Sequence, residues 1–106
     1  MRVISQHGNV DLPYEQIVVC HAMESVIALY NGEKYVLGEY SSKEKAYKAM
    51  EMLREQYSRI RIIKALASGA CEYMEKSLKL EEFKDIFEEY INMEVFQFPQ
   101  DDEIEV

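Results

Sequence analysis

The sequence predicts an α+β fold, a small antiparallel sheet of four to five strands packed with one long and one shorter helix. Three observations carry that reading. Residues 25–37 alternate in character about an Asn31-Gly32 pair, a stripe of apolar residues recurs at gaps of three and four over residues 46–78, and a second such stripe covers 80–91. Asn-Gly suits a two-residue hairpin turn because both central positions need positive φ, which these residues adopt at little cost.

Arg2 to Ser5 reads as a short strand closed by a turn at His7-Gly8-Asn9. Pro13 cannot donate to a central ladder and therefore breaks the pattern after Asp11. Ile17-Val18-Val19-Cys20 is a β-branched run apolar on both faces, with Met23-Glu24 as a tight connection to the hairpin. A two-residue loop sets Tyr30 against Glu33, Ala28 against Tyr35 and Val26 against Leu37 on one side; Ile27 meets Val36 and Leu29 meets Lys34 on the other. Apolar residues on both sides mean that both faces of this sheet need cover. One helix supplies only one.

Ser41 with Glu44 three residues later has the pattern of a capping box and marks the start of the first helix. Its stripe of Ala46, Met50, Leu53, Tyr57, Ile60, Ile63, Ala67, Cys71, Met74 and Leu78 permits one continuous helix of about 33 residues, roughly 50 Å long. A competing reading ends it near Ser58, because Arg59-Ile60-Arg61-Ile62 also alternates with period two. With no proline between 42 and 78, the helical reading is the stronger. The second helix places Phe83, Ile86, Phe87, Tyr90 and Ile91 on one face and acids around the other. Val95-Phe96-Gln97-Phe98 reads as an edge strand ending at Pro99. The domain thus spans 1–98, and 99–106 is expected to be a mobile acidic tail.

At 106 residues the chain builds one core. No apolar run approaches the roughly 20 residues of a membrane-spanning helix, and the first residues lack a signal-peptide layout, so cytoplasm is the expected location. Cys20 and Cys71 stand far apart, outside any CxxC pair, and read as small buried apolar residues rather than a disulfide. The net charge of −8 is uneven: residues 1–71 hold eight acids and nine bases, residues 72–106 twelve acids and three bases.

The Met1-Arg2-Val3-Ile4-Ser5-Gln6 opening, Pro13-Tyr14-Glu15-Gln16-Ile17-Val18, Glu39-Tyr40-Ser41-Ser42 leading to Lys48-Ala49-Met50-Glu51-Met52-Leu53, and Phe96-Gln97-Phe98-Pro99 with its acidic end resemble a group of small proteins from prophages and other mobile elements of Gram-positive bacteria. The likeness covers the first half and the last dozen residues. It implies a bacterial accessory-element context. The group carries no known activity, so the resemblance transfers no site residue.

Enzyme chemistry finds little footing. The four glycines are scattered and form no phosphate-cradling loop, and no GxSxG, HExxH or CxxC occurs. Cys20-His21 is the one adjacent nucleophile–base pair by type, but strand neighbours point to opposite faces. No cofactor or metal is expected, and the reading is non-enzymatic: an interaction and oligomerisation module, most simply a homodimer. An alternative makes the acidic rear (Glu82, Asp85, Glu88 and Glu89) a nucleic-acid mimic that captures a basic protein partner. A weaker alternative binds nucleic acid through Lys45, Arg54 and Arg59 on the helix starting at residue 42. A pI near 4.7 weighs against that one. Tyr30, Tyr35 and Tyr40 read as tyrosines at the rim of the core.

Overall fold

The computed structural model describes residues 1–77, 88 and 92–105, with side chains described to residue 65 of the long helix. Among the described residues the strands are β1 (Arg2–Ile4), β2 (Asp11–Pro13), β3 (Val18–Ala22), β4 (Ser25–Tyr30), β5 (Glu33–Glu39) and β6 (Val95–Gln97), with one long helix, α1 (Lys43–Ser77). They form two three-stranded sheets, ordered β2-β1-β6 and β3-β4-β5. The single sheet of four to five strands is therefore corrected to two sheets, with six strands among the described residues. The expected second helix over 80–91 lies outside the described residues, apart from the helical Glu88.

The first sheet has β1 at its centre, antiparallel to β2 and parallel to β6. Register aligns Leu12, Val3 and Phe96 across the three strands, and all three are buried. Pro13 sits at the end of an edge strand, where its missing N–H costs nothing. The N-terminal ammonium donates to Glu15 at 2.8 Å and holds that carboxyl below its usual range, while Arg2 Nε reaches Asp11 at 2.8 Å.

The second sheet is a meander. Asn31 (φ 50°) and Gly32 (φ 80°) form the expected turn, and the register is Tyr30–Glu33, Leu29–Lys34, Ala28–Tyr35 and Ile27–Val36, as the sequence implies. The next pair departs: Val26 faces Gly38, not Leu37. A bulge leaves Leu37 as the extra residue of β5, and both Val26 and Leu37 still point into the core. A Cβ at Gly38 would lie 2.8 Å from the Tyr40 ring, so the close approach needs glycine. That ring is buried rather than at the rim, and its hydroxyl donates to the Pro99 carbonyl at 2.9 Å. Burial, with the charges of Asp101 and Glu103, pushes the phenol pKa well up.

Helix α1 is continuous over 35 residues, so the reading that ends it near Ser58 is set aside. Ala46, Ala49 and Leu53 are essentially inaccessible, and the two alanines let the helix lie close to β3 and β4. Ile60 is the last buried position described, and residues 61–65 are exposed or half-buried. The cap is one residue later than expected. Ser42 Oγ accepts from Lys45 N–H at 3.2 Å, and Lys45 occupies the third helical position, so Ser41 and Glu44 form no capping box.

The end of the chain is docked, which corrects the mobile tail. Phe98 and Ile104 are buried, and Asp101–Glu103 forms a 3-10 turn in which the Glu103 carboxylate accepts from Gln100 N–H. Asp101 accepts from Ser41 N–H at 2.7 Å and from Lys45 Nζ at 3.3 Å. Chiefly through the Ser41 N–H, its carboxyl is held below the usual range.

Gln6, only 6% exposed, joins these parts. Its N–H donates to Leu37 O at 2.7 Å and its carbonyl accepts from Gln100 Nε2 at 2.8 Å. Its side-chain amide takes Glu39 N–H and gives to Glu39 O and Pro99 O. Backbone and side chain of this one residue thus tie the two sheets together where they meet.

Three stability outcomes follow. Gln6→Leu strands the Glu39 and Pro99 groups and should lower unfolding free energy by about 2–4 kcal/mol in urea titration. Gly38→Ala should cost about 1–3 kcal/mol by displacing Tyr40. A depressed folded pKa contributes stability that is complete above the unfolded carboxylate value of about 4 and is lost as pH falls through the folded value. Asp101→Asn should therefore flatten the acid limb of Tm against pH below about 4, measured by circular dichroism.

Candidate functional site

Alternation assigns the residues of β3-β4-β5 to two faces. The inner face carries Val19, Val26, Ala28 and Leu37 against α1 and the core. The outer face carries three rows, each read across β3, β4 and β5: Val18, Leu29 and Lys34; Cys20, Ile27 and Val36; and Ala22, Ser25 and Glu39. Val18 is 60% exposed, Val36 50% and Leu29 37%, and no described residue covers them. Isolated surface apolar residues are ordinary, but here they adjoin on one pleated surface.

The bulge shapes this face. With two residues of β5 passing one of β4, Glu39 rather than Gly38 comes opposite Ser25. The outer face thus has a cation at one corner and an anion at the other end of the same strand. The β-branched strands 17–20 and 26–37, apolar on both sides, signalled such a face in the sequence. The hairpin register placed Lys34 opposite Leu29, but Glu39 gave no signal, because its place opposite Ser25 depends on the bulge.

The other candidates are not brought together. Lys45 Nζ is engaged by the Asp101 carbonyl at 2.8 Å and its carboxylate at 3.3 Å. Arg54 is exposed beside a cavity of about 150 Å³ lined by Tyr14, Ile17, Val19, Met50 and Leu53. Arg59 is exposed. Nine residues separate Lys45 from Arg54, about half a rotation beyond two full turns, so the two flank the buried stripe from opposite sides. Of the acidic candidates Glu88 is exposed, while Glu82, Asp85 and Glu89 lie outside the described residues. Cys20 belongs to the outer face, whereas the His21 ring lies 4.4 Å from that of Tyr47 on the α1 side. The pair shares no face on which a proton could pass.

No helix among the described residues is long and apolar enough to cross a membrane. Comparison of the chain with protein-family models, curated proteins and solved structures returns no match.

Proposed function

We propose that this chain is a non-enzymatic interaction module, acting by self-association through the outer face of β3-β4-β5 in a bacterial accessory element. The observation that carries the reading is the contiguous exposure of Val18, Leu29 and Val36 on a surface that α1 leaves open. Burying such a face releases about 25 cal/mol per Å² of apolar area, while leaving it wet gives the fold no benefit. The accessory-element context rests on the resemblance of the two ends of the chain alone.

The rival readings have less support. Asp101 and Glu103 are committed to internal bonds, which removes them as further carboxylates for a phosphate mimic but does not bear on Glu82, Asp85, Glu88 and Glu89. Lys45 is committed likewise, which weakens a phosphate-binding helix face.

Val18→Lys and Val36→Lys both alter exposed side chains, so the fold should survive them. Light scattering should give the wild-type chain a mass near twice 12.5 kDa at high micromolar concentration and each variant the single mass. A dimer indifferent to both substitutions would place the association elsewhere.

A further inference from the structure

Resting on that reading of the outer face, we infer that its occupant is a second copy of this chain, packed face to face about a twofold axis running across the strands through the Cys20, Ile27 and Val36 row. The argument is self-complementarity. A twofold axis relating two stacked faces lies in the plane between them, and two simple directions exist, along the strands or across them.

An axis along the strands sets β5 over β3 of the second copy. Lys34 then lies over Val18 and Glu39 over Ala22, so both charges are desolvated against apolar side chains. An axis across the strands sets β5 over β5 in the opposite direction. The outer rows then exchange: Lys34 of each copy lies over Glu39 of the other, and the large Val18 and Leu29 lie over the small Ala22 and Ser25. The middle row, Cys20, Ile27 and Val36, packs on itself. Each term improves together, with two ion pairs at the rim, large against small in the outer rows and like apolar groups at the centre.

The bulge at Leu37 is what permits this match. Because Glu39 aligns with Ser25, the anion row stands as far from the central row as the cation row does on the other side. Without the extra residue Gly38 would fall there and Lys34 would lack a partner. The face is also small. Three strands about 4.8 Å apart and five residues long cover far less than the roughly 800 Å² per partner of a standard interface. The face therefore has the size of a weak, transient contact.

Analytical ultracentrifugation of the full chain over a concentration series tests the axis. Lys34→Glu and Glu39→Lys should each raise the dissociation constant about tenfold, and the double exchange should restore it to within about twofold. In a Cys71→Ser background, a short bismaleimide should link Cys20 of one copy to Cys20 of the other, and Val36→Lys should abolish the product. A dimer sensitive to Val18→Lys and Val36→Lys that shows neither rescue nor Cys20 linkage overturns this axis and leaves the interaction face standing. A chain that stays monomeric throughout the series overturns both.

Discussion

The buried amide of Gln6 is the interaction on which the rest of this structure hangs. Three segments distant in sequence meet there: the end of β1, the end of β5 and the strand-like residues after β6. A glutamine side chain carries both a donor group and an acceptor on a flexible stem, so it pairs with Glu39 as a backbone unit would while its second N–H serves Pro99. Full satisfaction is what makes a 6% exposed amide tolerable.

From that node the closing residues acquire a structural role. Phe98 enters the core and Pro99 receives the Tyr40 hydroxyl, after which Asp101 meets the first turn of α1. An anion at a helix N-terminus sits where the partial positive charge of unpaired N–H groups is greatest. Lys45, from the first turn of the same helix, closes the contact. Gln56 repeats the device further along, its Nε2 reaching the carbonyls of both Met93 and Val95 at 2.9 Å. Side-chain amides and one carboxylate thus add to the shared apolar core in binding helix and strands into one body.

The bulge in β5 connects this scaffold to the proposed interface. It turns Gly38 inward beneath Tyr40, and it brings Glu39 to the outer face while leaving that residue's backbone to Gln6. One extra residue therefore serves the core and sets the charge pattern of the exposed surface.

Sequence alone determined what depends on neighbours along the chain. The Asn31-Gly32 turn, four of its cross-strand pairs, the two-sided apolar character of the sheet and the unbroken α1 all follow from local φ preference and periodicity. The tertiary structure decided whatever depends on a partner far away in sequence. Ser42 rather than Ser41 caps the helix because Asp101, sixty residues on, takes the Ser41 N–H. The acidic end is docked because Ile104 and Phe98 find the core, and composition is blind to such burial. The split into two sheets and the register shift at Leu37 depend on Gln6 and Tyr40 closing around Glu39 and Gly38. Long-range pairing of this kind leaves no periodic trace, since each participant contributes a single residue to it.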